Sequence, residues 1–291
     1  MACLSRGFLS RGSVLLLAAV PLFGSSGCIV SAVSGVAADT LSAVILNQDD
    51  PAIVGAGLPA YLLIVDGLII DNPENSGLLA AGAQLFALYG SRFANDENHG
   101  AILTAKARRY GERAICIDYP PSCNWSNLEY DLFVTEIGNI DEERVELLYA
   151  YAVSWLSHLD ATSADWSAVG ELPWVHAAMG RLLEIDETYD NGGVHVYLGI
   201  LNSLRPPAFG GRPDIARAHF ERAIEMSNGE DLSAKVEFAR RYCRMMFDQE
   251  LHDRLLREVI LAPAEVPGRT LLNVLAKRDA EALLASSADY F

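Results

Sequence analysis

Six histidines, His99, His158, His176, His195, His219 and His252, are the side chains of this sequence best suited to holding a metal or moving a proton. No two of them stand three or four residues apart, the spacing that places two imidazoles on one helical face. The HExxH, GxSxG and GxxxxGKS/T patterns are absent, and with them the usual frameworks of zinc proteases, serine hydrolases and P-loop enzymes. The sequence therefore predicts no enzyme, no metal and no cofactor. His219, beside Phe220 on a charged segment, reads as structural or solvated. His195, directly ahead of "VYLG", is a candidate for contact with a ligand or partner.

Asp66 is the acid in the least polar setting, within "LLIVDGLII" (62–70). A helix there is apolar on every side and is expected to be buried. A buried carboxylate must be paired, hydrogen-bonded or protonated, so Asp66 either pairs with a neighbouring helix or lines a channel. The run 52–70 also invites comparison with a membrane span, which Pro59, three glycines and Asp66 weaken. Tyr61, Tyr89, Trp155, Trp174, Tyr189 and Tyr197 are rings that would suit an apolar ligand with a polar head, although aromatics at helical spacing more often fill a core. Asp66, Tyr61, Tyr89, Trp155, His195 and Tyr197 form the candidate ligand or tunnel set. Cys116 and Cys123 flank a Pro-Pro turn and either close a small disulfide loop or remain two thiols.

These residues must be positioned by helices. Apolar residues recur at three- and four-residue spacing from residue 29 onward, and no segment shows sustained alternation. The pattern predicts an all-α chain of about twelve helices, near 29–46, 51–71, 76–93, 98–117, 123–136, 141–159, 171–187, 193–204, 213–227, 231–247, 248–261 and 269–287. Ahead of them Arg6 and Arg11, the apolar run "SVLLLAAVPLF" (13–23) and "GSSGC" (24–28) read as a secretory signal. Cys28 resembles the lipid-modified cysteine of a bacterial lipobox, with Ser25 where an aliphatic residue is usual. The expected division is a lipoprotein-type signal peptide at 1–27 and one helical domain at 28–291.

Without Arg6 and Arg11, 20 basic residues face 38 acidic ones, a net charge near −18. Such a surface disfavours nucleic acid and anionic lipid, so any membrane attachment would come through the anchor alone. Three helices end alike, "AICIDY" (114–119), "LLEIDE" (182–187) and "AIEMSN" (223–228). The first two are 68 residues apart, twice the 34-residue period of tetratricopeptide helix pairs. In the last pair Gly199 takes the small position of the first helix, and Ala216, Phe220 and Ala223 give the Ala-x3-Phe-x2-Ala order of the second. Gly210 and Gly211 in "FGGRPDIARAHF" read as punctuation before a helix that opens on Pro213. Stacked pairs of this kind form a curved array with a concave binding surface.

Longer blocks carry a family resemblance. "PAYLLIVDGLIIDNPEN" (59–75), "LLAAGAQLFALYGSRF" (78–93), "LLEIDETYDNGGVHVYLGIL" (182–201), the stretch 210–260 and the closing "LLNVLAKRDAEALLASSADYF" (271–291) resemble the T component of TRAP-type transporters, the TatT lipoproteins. The resemblance implies cryptic tetratricopeptide-like repeats, a lipid-anchored periplasm-facing protein, association as a homotrimer and with a solute-binding P component, and a channel for a small hydrophobic or amphiphilic ligand. A TPR-like scaffold of the cell envelope that carries no ligand is the alternative.

Overall fold

The computed structural model describes residues 43–291. The expected signal peptide at 1–27, Cys28 and most of the first expected helix lie outside the described residues. Among those described, every regular element is helical and no strand occurs.

The helices are α1 (Pro51–Asp71), α2 (Ser76–Arg92), α3 (Glu97–Asp118), α4 (Tyr130–Ile137), α5 (Val145–Ala161) and α6 (Trp166–Ile185). They continue as α7 (Gly193–Ser203), α8 (Pro213–Met226), α9 (Leu232–Glu237), α10 (Gln249–Leu261) and α11 (Thr270–Ala285). α9 runs on through a π-helical turn at Phe238–Cys243 into Arg244–Met246. Polar caps set the starts: Asp50, Asn75, Asp96, Asp231 and Asp248 each accept a first-turn backbone N–H. Each supplies a partner to a donor that the helix itself leaves unpaired.

Successive helices pack as antiparallel pairs, α2 with α3, α5 with α6, α7 with α8 and α9 with α10. The α7–α8 pair shows how close the approach is. A Cβ on Gly199 would fall 2.8 Å from the Phe220 ring. Phe220 in turn stacks on Phe238 with centroids 5.1 Å apart, and Ala216 and Ala223 beside it are buried. Removing the side chain from one helix lets the aromatic ring of the other fill the seam. Neighbouring pairs follow in register: Ile140 with Arg181, Tyr149 with Asp190 and Leu232 with Asn273 are each bonded across 41 residues.

Two expectations need correction. The helix expected at 123–136 starts only at Tyr130, because Pro120 and Pro121 initiate a 3-10 turn (Pro120–Asn127) that the Cys116–Cys123 disulfide closes. The 68-residue interval holds one full pair, α5–α6, preceded by this turn and the short α4. Finally, α1 is not enclosed. Leu58, Leu62, Val65 and Ile69 pack inward, while Ile53, Leu63, Ile64 and Ile70 face outward. A composition that is apolar all round fixes no buried face, and here the side toward α2, α3 and α11 is covered.

Candidate ligand cavity

The first helices of the pairs, α2, α5, α7 and α9, share one concave space of about 1160 Å³, joined by Ile45, Leu46, Ala168 and Leu172 of α6, and the start of α11. Its volume is slightly above the roughly 300–1,000 Å³ typical of pockets for small organic ligands. The middle is apolar, with Leu85 and Leu88 from α2, Val153 and Leu156 from α5, and Val196 and Ile200 from α7. Glu146 and Asp160, both on α5, mark polar groups at its two ends. Fourteen residues separate them, about 21 Å along a helix.

At one end the wall is built from tyrosines around an acid. Tyr149 lies with its ring 5.0 Å from Tyr189 and 6.2 Å from Tyr197. Its hydroxyl donates to Asp190 Oδ2 at 2.7 Å. Arg269 Nη2 donates to Asp190 Oδ1 at 2.8 Å and to the Asp190 carbonyl at 2.6 Å, while Nη1 donates to Asp231 Oδ2 at 2.9 Å. Asp190, Asn191 and Gly192 all take left-handed backbone conformations, with φ of 52°, 53° and 80°. Two non-glycine residues in that region store strain that the surrounding contacts must offset. Desolvation raises the Asp190 carboxyl above the usual carboxylate range, against the pull of Arg269. Desolvation also lifts the Tyr149 hydroxyl well above its ordinary value and pushes Tyr197 up to about 12. The rings therefore meet the cavity as neutral hydrogen-bonding groups at physiological pH.

At the other end an acid is shared between arginines. Asp279 accepts from Arg92 at 2.9 Å and from Arg240 at 2.6 Å. Arg240 and Arg241 both reach Glu237, and Arg241 extends the chain to Asp160 at 3.1 Å. Burial pushes the Asp279 carboxyl up, but Arg92 and Arg240 outweigh it and hold the group below its ordinary value. The space thus has an apolar belt between two polar ends, an arrangement complementary to an amphiphilic molecule. Among the described residues no group of three metal-ligating side chains comes together.

The structure distributes the candidate set unevenly. Tyr197 lines the cavity. Asp66, Tyr61, Tyr89, Trp155 and His195 do not, and each has another placement. Asp66 pairs with Lys106 of α3 and accepts from the Tyr110 hydroxyl at 2.7 Å. Tyr61 lies on the outer side of α1, and Tyr89 is buried against Phe93. Trp155 donates Nε1 to Glu171 at 2.7 Å beneath the Arg108 guanidinium. His195 is buried with its Nδ1 2.8 Å from that of His219 and its Nε2 3.2 Å from Glu187. Burial, then the neighbouring His195, lowers His219 to about 4, so this pair is neutral near pH 7. The residues that sequence reasoning missed are Tyr149, Asp190, Asp231 and Arg269 at one end and Arg92, Arg240 and Arg241 at the other. "YDNGG" (189–193) was the available signal, because Asn-Gly favours left-handed backbone.

A family model described as TRAP transporter T-component matches residues 47–291. The chain is also similar to an uncharacterized protein of Treponema pallidum (strain Nichols), 24% identical over 281 residues, covering 85% of this chain and 82% of that protein.

Proposed function

Because the chain belongs to the TRAP transporter T-component family, we propose that it serves a TRAP-type transport system by holding a small amphiphilic or hydrophobic molecule in its concave cavity. The observation that carries this reading is the apolar belt between Tyr149 and Asp160 on α5, closed at both ends by polar networks within a space of about 1160 Å³. Binding is non-covalent. Burial of the ligand's apolar body supplies the affinity, and the polar ends orient it. In this proposal Cys28 carries the lipid that holds the protein at the periplasmic face of a membrane. The protein, alone or as a homotrimer, docks a solute-binding P component that delivers or receives the ligand.

Native mass spectrometry of the purified mature protein tests the ligand. A co-purifying lipid-like mass is expected, and it is expected to be lost in Val153→Trp, where a larger ring occupies the belt. A fluorescent fatty-acid-like probe should bind Val153→Trp at least ten-fold more weakly while circular dichroism is unchanged. Protein that is always empty, ignores the probe and still captures an envelope partner would instead support the ligand-free scaffold.

A further inference from the structure

Three rings meet at the tyrosine end from separate pieces of chain. Tyr149 comes from the start of α5, Tyr189 from the turn ahead of α7 and Tyr197 from α7 itself, and all three line the cavity. The Tyr189 and Tyr197 rings are inclined to that of Tyr149 by 56° and 64°, so they make a corner and not a stack. Glu146, Asp190 and Asp231 line the same end against one cation, Arg269. Arg269 is shared between Asp190 and Asp231. Glu146 is close enough to act electrostatically on Tyr189, and among the described residues it has no ion-pair partner.

The hydrogen-bond donors of this corner are already engaged. The Tyr149 hydroxyl donates to Asp190 and is hydrogen-bonded to the hydroxyl of Tyr197. The Arg269 guanidinium is turned to its two carboxylates and to the Asp190 carbonyl. An anionic head would have to break one of these bonds to find a donor. A cation needs none, because ring faces carry the negative side of the aromatic quadrupole and the carboxylates add charge. A quaternary ammonium also brings no N–H in need of an acceptor. Helix starts favour acids at this end, but they give no reason for three tyrosines to gather there. At the opposite end Arg92, Arg240 and Arg241 are balanced by Asp279, Glu237 and Asp160, so only the tyrosine end prefers one sign of charge.

We propose, on the reading that the cavity holds an amphiphile, that its tyrosine end is the head-group subsite and takes a quaternary ammonium. The apolar chain of the ligand then lies along the belt toward Asp160. Tyr149, Tyr189 and Tyr197 supply the aromatic walls, and Glu146 and Asp190 supply the charge.

Isothermal titration calorimetry on the full chain tests this with dodecyltrimethylammonium and dodecanoate, both below their micelle concentrations. The cation should bind about ten-fold more tightly than dodecanoate, and Val153→Trp should weaken it. Tyr189 is only partly buried, so Tyr189→Leu removes the ring with little disturbance of the fold. That change should lower the cation's advantage about three-fold, Tyr189→Phe should restore it, and Glu146→Gln should lower it about two-fold. Dodecanoate binding as tightly as the cation, or an advantage that either Tyr189→Leu or Glu146→Gln leaves unchanged, would overturn the head-group assignment. The cavity reading would survive that result if Val153→Trp still weakened both probes. Cation binding that Val153→Trp leaves unaltered is attraction to the acidic surface and would also overturn the assignment. Binding of neither probe would remove the cavity reading itself, and the subsite with it.

Discussion

The two ends of the cavity are inverted copies of one device. At the tyrosine end a single guanidinium, Arg269, is held between two carboxylates, Asp190 and Asp231. At the arginine end a single carboxylate, Asp279, is held between two guanidiniums, Arg92 and Arg240. The first lies where α7 and α9 begin and the second where α2 finishes. The negative excess of the tyrosine end therefore meets helix N-termini, as the helix dipole favours, whereas at the arginine end Arg92, Arg240 and Arg241 are balanced by Asp279, Glu237 and Asp160. The ends differ in how far they are removed from water. The Arg269 and Asp231 side chains are about 10% and 9% exposed, against 28% and 30% for Arg92 and Asp279, while Asp190 on the other side of Arg269 is 40% exposed, so the dry part is the Arg269–Asp231 pair. A dry network is held together by necessity, since each charge needs its partner, whereas a wetter one lets water substitute for a lost partner.

The largest expected effect follows from that contrast. Arg269→Ala strands Asp231 in the wall, leaves the more exposed Asp190 to Tyr149 and water, and should destabilise the protein by about 3–5 kcal/mol, the usual consequence of breaking a buried ion pair from one side. Urea unfolding followed by circular dichroism measures it. Arg240→Ala leaves Asp279 with Arg92 and with water, and should cost about 1 kcal/mol or less. Equal losses for the two variants would remove the distinction between a dry end and a wet one.

The sequence exposed these parts to different degrees, for reasons of range. The α7–α8 seam was legible because Gly199, Ala216, Phe220 and Ala223 sit on adjacent helices joined by a turn, and small residues opposite a ring announce close packing. Helix positions along the chain were legible for the same reason, since caps and period are local. The cavity ends were not. Tyr149, Asp190 and Arg269 are 41 and 79 residues apart in successive pairs, and nothing in the spacing of one helix says which residue of the next will face it. His195 and His219 meet across 24 residues, beyond any motif of consecutive helical turns. For α1 the fault lay in equating an apolar composition with a buried position. Composition states what a helix can bury, and the packing of its neighbours decides which side is buried.

The smallest effect separates the two ends by sign. The Asp190 carboxyl titrates above its ordinary value in the folded protein. Between the unfolded value and the raised one the folded state binds more protons, so this group's contribution falls as pH rises through that window. The Asp279 carboxyl titrates below its ordinary value. Its contribution is present above the unfolded value and disappears as pH falls toward the folded one. Asparagine mimics the protonated acid at either site. At pH 7 Asp190→Asn should therefore be neutral or slightly stabilising, and Asp279→Asn destabilising, each by less than about 1 kcal/mol after solvent screening. Both differences from the parent should shrink as the pH is lowered and the parent carboxyls take up their protons. Thermal unfolding at pH 7 and near pH 4 gives both comparisons. Shifts of the same sign for the two variants at pH 7 would mean that the arginine contacts at Asp190 outweigh its desolvation, and that the two ends are electrostatically alike.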